Sequence, residues 1–129
     1  MQTPRSRSVV LDVGNCVPDF SSIKRMLQTH FEVDVLQAHR ADDALAVLRE
    51  QTVHLVLVNR KLDCDYSDGT EVLKSIKADP QVSHVPVMLV TNYAEHQQAA
   101  VALGAEYGFG KLEMQAPATI ARLSQFLGS

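Results

Sequence analysis

The segment 54–69 constrains the fold of this chain most, because it joins a buried strand to a polar loop. His54 is followed by Leu, Val, Leu and Val, a short apolar run bounded by polar residues. Such a run is typical of a strand buried on both faces of a parallel sheet. The run turns polar at Asn59, and Asp68 with Gly69 predicts the turn that closes the loop. In open α/β sheets ligands bind where strands end, so Asn59 occupies a position suited to function.

Segments typical of strands and helices alternate along the chain. The predicted strands are 8–13, 32–38, 54–58, 85–90 and 107–110. The first predicted helix begins at a cap on Asp19 or Ser21, and the other four cover 41–50, 68–79, 94–103 and 117–127. Five strands alternating with five helices predict an α/β fold with a parallel sheet and helices on both faces, because parallel strands need long, right-handed crossovers. A flavodoxin-like strand order of 2-1-3-4-5 is expected, which brings the ends of strands one, three and five to one edge.

Length and charge narrow the class of protein. The 129 residues predict one domain, with residues 1–7 as a loose tail. Twelve basic and fifteen acidic side chains leave a net charge of −3, which gives no electrostatic reason to expect binding to nucleic acid or membrane lipid. The sequence contains neither an apolar run long enough to span a membrane nor a signal peptide. Two cysteines do not suggest a disulfide framework, so a reducing, cytoplasmic location is expected.

The strand that ends at Asn59, with its loop closing in Asp-Gly, resembles the bacterial response-regulator receiver domain of the CheY-like type. In that family the third strand ends in an aspartate that accepts a phosphoryl group from a partner histidine kinase. Two further matches are specific. Thr91 ends the predicted fourth strand, where the family has a Thr or Ser that senses the phosphoryl group. After Gly104 and Ala105, Lys111 occupies the position at which the family has its phosphate-pairing lysine.

Other positions depart from the family pattern. The acceptor position holds Asn59, and its loop is longer than is common. Family members end the first strand with adjacent acids that hold a divalent metal. Here that pair aligns with Asp12 and Val13, or with Val13 and Gly14, so at most one acid remains. The aromatic switch position, three residues before the lysine, is Gly108.

These departures imply a pseudo-receiver that lacks the phosphoacceptor. An asparagine amide oxygen is a poor nucleophile, whereas an aspartate attacks phosphorus through its carboxylate. Magnesium needs hard oxygen ligands, so it would bind weakly at most, through Asp12 and the Lys61 carbonyl, and no cofactor is expected. The Asn59→Asp change alone should not restore phosphorylation without a further acid at position 13 or 14. The resemblance then implies a non-enzymatic signalling module of a two-component phosphorelay system. It would contact a protein partner through helix four, strand five and helix five.

Several residues keep two interpretations. Lys111 senses phosphate, or it pairs with Asp12 or hydrogen-bonds Asn59, and the second is favoured because no phosphate would remain to be neutralised. Thr91 is a sensor or closes a strand end. Cys16 and Cys64 follow neighbouring strands and form a possible thiol pair, although two unrelated loop thiols are the simpler interpretation.

Two rival functions stay open. A working receiver could use another carboxylate of the same loop, Asp63 or Asp65. Both lie past the strand end, where neither Thr91 nor Lys111 need reach. A flavodoxin-like flavin binder is the other rival, but the first loop is not rich in Ser, Thr and Gly, and the chain has no Trp to stack on a flavin.

Overall fold

Five parallel strands form one sheet with the predicted order 2-1-3-4-5, in a computed structural model that describes residues 7–128. The strands are β1 (Ser8–Val13), β2 (Val33–Ala38), β3 (Leu55–Asn59), β4 (Val87–Val90) and β5 (Glu106–Phe109). The helices are α1 (Val17–His30), α2 (Ala41–Glu50), α3 (Gly69–Ala78), α4 (Ala94–Ala102) and α5 (Pro117–Leu127), and a 3-10 turn covers Lys111–Glu113. The predicted alternation is confirmed, with boundaries that shift by one or two residues at most elements.

Alternate residues of each strand face two separate cores, because successive side chains of a strand point to opposite faces of the sheet. One core lies against α1 and α5 and includes Val10, Leu57, Met26 and Leu123. The other lies against α2 and α3 and includes Leu11, Val13, Val58, Leu48 and Ile76. Both faces of the central strands are therefore covered, which explains their continuous apolar sequences.

Helix α1 begins earlier than the sequence predicts. Its N-cap is Cys16 and its first turn contains Pro18, so the predicted cap at Asp19 or Ser21 is wrong. Proline suits the first turn because its missing N–H needs no partner there. Asp19 consequently lies inside the first turn, where the positive end of the helix dipole favours a carboxylate.

The N-terminal end of the described chain is held to the edge strand. The Arg7 guanidinium donates to the Val33 carbonyl at 2.6 Å and to Asp34 Oδ1 at 3.1 Å. Arg7 therefore does not belong to the predicted loose tail, and residues 1–6 lie outside the described part. No helix within residues 7–128 combines the length and the apolar character needed to cross a membrane.

The pairing of β4 with β5 is irregular. Met88 pairs with Glu106 and Val90 pairs with Phe109, so β5 has one residue more than β4 between these two pairs. An extra residue of this kind is a bulge, which leaves backbone groups of the ladder without their usual partners.

Candidate functional site

The ends of β1 and β3 lie side by side, because Val13 pairs with Val58 one residue before Gly14 and Asn59. Side chains that follow these two strand ends therefore meet at one edge of the sheet, as the strand order predicts. We call Asp12, Asn15, Asp19 and Lys111 the strand-end cluster. Asn59 ends the neighbouring strand β3.

Asp12 is a fully buried carboxylate in this cluster. Its Oδ1 accepts a hydrogen bond from Asn15 Nδ2 at 2.5 Å, and its Oδ2 has no hydrogen-bond partner. Burial raises the pKa of Asp12 to about 7, against smaller lowering effects of the Asn15 hydrogen bond and the Lys111 charge. The carboxyl group is therefore poised between its neutral and charged forms near neutral pH.

Asn15, which the sequence analysis did not single out, is the residue that accompanies Asp12. It is 2% exposed and its Oδ1 is also unpartnered. Val13 instead points into the core beside α2 and α3. Gly14 has a φ of +83°, and a Cβ there would collide with the Leu62 side chain. Val13 and Gly14 therefore offer no side chain toward Asp12 in this chain, because alternation along β1 turns Val13 away and the chain passes Leu62 at Gly14. The alignment of the family's acid pair with Asp12 and Val13, or with Val13 and Gly14, stays a prediction.

Lys111 forms an ion pair with Asp19 of α1, with Nζ 2.7 Å from Oδ2. The Lys111 hydrogen bond is the largest cause of the lowered pKa of Asp19. The predicted partners of Lys111, Asp12 or Asn59, are thus wrong as direct contacts. Because α1 begins early, its first turn places a carboxylate within reach of the lysine.

Asn59 is partly exposed and its amide is used within its own loop. Its Nδ2 donates to the Lys61 carbonyl at 2.7 Å. That carbonyl is the backbone ligand that the sequence analysis assigned to a weakly bound magnesium. An aspartate could not make this hydrogen bond, since a carboxylate has no N–H to donate.

The long loop after β3 folds back as a small hairpin. Lys61 bridges to Asp68, and the Leu62 N–H donates to the Ser67 carbonyl at 2.9 Å. Asp63 and Asp65 lie exposed at its tip, and the Asp65 carboxylate accepts from Ser67 Oγ at 2.6 Å, which lowers its pKa. The hydrogen bonds among residues 7–128 join neither carboxylate to Thr91 or Lys111.

Thr91 directly follows β4, and its hydroxyl contacts neighbouring residues of the same turn. Its Oγ1 lies 3.2 Å from His96 Nδ1 and accepts from the Tyr93 N–H at 3.3 Å. The backbone of Thr91 also donates to the Phe109 carbonyl of β5 at 3.0 Å. These contacts lie in the turn between β4 and α4, and both interpretations of Thr91, phosphoryl sensor and strand-closing residue, stay predictions.

Gly108 is buried, and beside it lies a second residue that the sequence analysis missed. The Gly108 N–H donates to Gln97 Oε1 at 2.8 Å, and Gln97 is 2% exposed. The sequence could have revealed Gln97 only if the apolar residues of α4 had shown which side of the helix faces inward. The Ala-rich helix α4 has no clear apolar stripe, so its sequence gives no such signal.

Cys16 and Cys64 are free thiols. Cys16 caps α1 and is half-buried, whereas Cys64 is exposed with its Sγ 3.4 Å from the His39 carbonyl. The predicted thiol pair is therefore not joined by a disulfide in this structure.

The oxygen donors of this site do not fit a magnesium ion. Magnesium needs accessible hard oxygens in a near-octahedral arrangement. The Asp12 carboxylate is fully buried, the Asp19 carboxylate is held by Lys111, and the Lys61 carbonyl accepts from Asn59. Residues 7–128 also contain no group of three or more His, Cys, Asp or Glu side chains placed to hold a metal.

Most of the large exposed apolar side chains of residues 7–128 belong to the segment 93–112, which contains α4 and β5. The described chain has seven large exposed apolar residues: Val17, Tyr66, Tyr93, Val101, Leu103, Tyr107 and Leu112. Five of these seven fall between positions 93 and 112. The guanidinium of Arg122 in α5 lies over the Tyr107 ring, 4.8 Å from its centre, and joins α5 to the same area. We call Tyr93, Val101, Leu103, Tyr107 and Arg122 the α4–β5–α5 surface.

Comparison with known proteins agrees with this architecture. The family model of the response regulator receiver domain matches residues 18–111. The receiver domain of NtrX from Brucella abortus is similar in structure, with a TM-score of 0.75 and 25% identity over 93% of this chain and 98% of that one.

Two further structures share the fold. The signal receiver domain of the DNA-binding response regulator merR from Colwellia psychrerythraea 34H has a TM-score of 0.76 at 20% identity, covering 95% of this chain and 99% of that chain. The chemotaxis response regulator CheY4 of Vibrio cholerae has a TM-score of 0.71 at 20% identity, covering 93% and 98%. No curated protein sequence matches significantly. Since the family model covers most of the chain, this protein belongs to the response regulator receiver domain family of two-component signalling.

Proposed function

We propose that this receiver domain does not accept a phosphoryl group and signals by contact with a protein partner in the cytoplasm. The observation that carries the proposal is the amide at the acceptor position: Asn59 donates to Lys61 at the end of β3, where the family resemblance expects a nucleophilic carboxylate. The ion pair between Lys111 and Asp19 supports it, because the lysine already has an anionic partner.

The proposal includes loss or weakening of magnesium binding, and it assigns no catalytic activity. In phosphoryl transfer a metal bridges the reacting oxygens and neutralises the charge that develops. Asp12 offers one buried carboxylate, and its neighbour Asn15 is a neutral amide. The two amides of Asn15 and Asn59 add no negative charge at the strand ends, and a site with few negative charges attracts a divalent ion weakly.

The α4–β5–α5 surface is the proposed contact area for the partner. Exposed apolar side chains are often found at protein interaction sites, and the segments that form this surface carry two exposed aromatic rings and two exposed aliphatic side chains. A partner that binds there should lose its affinity for a Val101→Glu variant and keep it for Ser22→Glu, an equally exposed change on α1. Equal binding of both variants would move the contact elsewhere.

Phosphorylation with a small donor tests the core of the proposal. We expect the mass of the intact protein to stay unchanged after incubation with magnesium and acetyl phosphate. A base-labile gain of one phosphoryl group would overturn the proposal. Asp63→Asn and Asp65→Asn variants would then show which carboxylate of the hairpin accepts it.

The flavin-binding alternative receives less support. The loop after β1 is short and its Asn15 side chain is turned inward toward Asp12, so it does not offer a cradle for a flavin phosphate. The absorbance spectrum of the purified protein should show no flavin band, and a flavin band would restore this alternative.

A further inference from the structure

The bulge between β4 and β5 is completed by a side chain rather than by backbone. The extra residue of β5 falls between the pairs Met88–Glu106 and Val90–Phe109. Gly108 lies in this interval on β5, and Leu89 lies opposite on β4. Unpaired backbone groups at a buried bulge need other partners, since an unsatisfied buried N–H or C=O is costly.

The Gln97 amide supplies those partners. Its Nε2 donates to the Leu89 carbonyl at 2.9 Å and to the Thr91 carbonyl at 3.3 Å. Its Oε1 accepts from the Gly108 N–H at 2.8 Å. One side chain of α4 therefore bonds to both strands and behaves like an additional peptide group inserted into the ladder.

Gly108 makes this arrangement possible because it has no side chain. A Cβ at position 108 would collide with the Leu89 carbonyl oxygen and would lie 3.2 Å from Gln97 Oε1. The position where the family resemblance expects a switch aromatic thus holds the residue that lets β4, β5 and the glutamine approach closely.

Helix α4 buries few apolar side chains against the sheet. Only Gln97 and Ala100 of its nine residues are buried, and Ala100 contributes a single methyl group. The three hydrogen bonds of Gln97, together with the contact between His96 and Thr91, therefore position α4 on the sheet. Tyr93 and Val101 of the α4–β5–α5 surface are in or beside this helix, and Tyr107 precedes Gly108 directly.

We propose that Gln97 locks α4 to the bulged pair of strands, so that the α4–β5–α5 surface keeps a single conformation without modification at the strand ends. The regulatory meaning of this lock rests on the proposed function, since only a receiver that needs no phosphoryl group benefits from a fixed contact surface. The lock itself is a property of the isolated chain. Gln97 is a positioning residue for that surface.

NMR measurements on the full chain, without partner or phosphodonor, test the lock. In the wild type we expect no microsecond-to-millisecond exchange in the amides of α4 and β5, and slow hydrogen exchange at the Gly108 N–H. Gln97→Met keeps the length and apolar stem of the side chain but removes its amide. It should speed exchange of the Gly108 N–H about tenfold or more relative to the core amide of Leu57, and it should introduce relaxation dispersion in α4.

Gln98→Met is the matched control, because Gln98 is the exposed neighbour of Gln97 on the same helix. It should leave both measurements unchanged. Gln97→Glu adds a pH-dependent readout: a protonated glutamic acid can still donate to the Leu89 carbonyl, whereas an ionised one cannot. The NMR relaxation dispersion of the α4 amides should therefore increase as the pH rises and the glutamic acid at position 97 ionises.

Two results would overturn the lock. One is dispersion throughout α4 and β5 in the wild type. The other is a Gln97→Met variant whose Gly108 exchange and α4 dynamics match the wild type. A phosphorylated wild type with a rigid α4–β5–α5 surface would instead overturn the proposed function and leave the lock standing, so the two failures are distinguishable.

Discussion

Two asparagines define the chemistry of this site at the scale of single residues. Asn15 Nδ2 donates to Asp12 and Asn59 Nδ2 donates to the Lys61 carbonyl. Both bonds need an N–H, which a carboxylate lacks. The amides are therefore integrated into the local hydrogen bonding, and restoring an acid removes a bond as well as adding a charge.

The Asn59→Asp variant should remain a poor phosphoacceptor. Its carboxylate would face the Lys61 carbonyl without a hydrogen to donate, and Asp12 would be the only other carboxylate of the site that is not paired with Lys111. Magnesium would therefore stay under-coordinated. The mass of the intact protein after treatment with acetyl phosphate and magnesium measures the extent of phosphorylation. If Asn59→Asp is phosphorylated to the same extent as an ordinary receiver domain, the prediction is wrong.

A second acid should help at position 15 rather than at position 13 or 14. Asn15 already contacts Asp12, so Asn15→Asp would bury two like charges side by side, a repulsion that a divalent cation drawn into the site would relieve. The double variant Asn59→Asp with Asn15→Asp should therefore phosphorylate more than Asn59→Asp alone, in a magnesium-dependent way. Val13→Asp would bury a charge in the core, and Gly14→Asp would collide with Leu62. If either of these raised phosphorylation more than Asn15→Asp, our placement of the acid pair would be wrong.

At the scale of elements, the β5 bulge depends on a missing side chain. Gly108→Ala would force Cβ against the Leu89 carbonyl, so the strand pair must move apart. We expect the free energy of unfolding to fall by about 1–3 kcal/mol, as for other overpacked core sites. Urea denaturation measures this, with Glu106→Ala as the exposed control on the same strand, which should change stability by less than about 0.5 kcal/mol. An unchanged midpoint for Gly108→Ala would show that the bulge tolerates a side chain.

The ion pair between α1 and the 3-10 turn should contribute little to stability. Its two side chains are 28% and 40% exposed, so solvent screens the attraction. Asp19→Asn should lower the free energy of unfolding by less than about 1 kcal/mol. A larger loss in urea denaturation would mean that the pair also orders the first turn of α1.

At the scale of the whole molecule, the buried Asp12 predicts how stability depends on pH. Burial raises its pKa from 3.8 to about 7 in the folded chain. Between these values the folded state holds one proton more than the unfolded state, so the free energy of unfolding falls as the pH rises and this contribution is lost above about pH 7. A proton on Oδ2 would also provide a donor next to Asn15, whose Oδ1 is unpartnered.

Asp12→Asn should remove this slope. Urea denaturation across the interval should show a wild-type decrease on the order of a few kcal/mol and a flatter profile in Asp12→Asn. Asp63→Asn, an exposed aspartate of the hairpin, is the control and should keep the wild-type slope. A slope that persists in Asp12→Asn would assign the pH dependence to other groups.

The sequence by itself determined the alternation of elements, the strand order, and the positions of Asn59, Thr91 and Lys111 at the strand ends. The elements follow from the periodicity of apolar residues in short stretches of sequence, and the strand order follows from the right-handed crossovers between parallel strands. Only the tertiary structure decided the partners. Lys111 meets Asp19 across 92 positions of the chain, because the start of α1 sets which carboxylate it can reach.

The second acid position and the role of Gln97 were likewise decided by tertiary structure. Alternation along β1 turns Val13 into the core, whereas Asn15 lies past the strand end, where Gly14 with its φ of +83° redirects the chain and lets the Asn15 amide reach Asp12. Gln97 bonds to three backbone groups at the bulge, those of Leu89, Thr91 and Gly108, and the periodicity of a four-residue strand does not reveal that bulge.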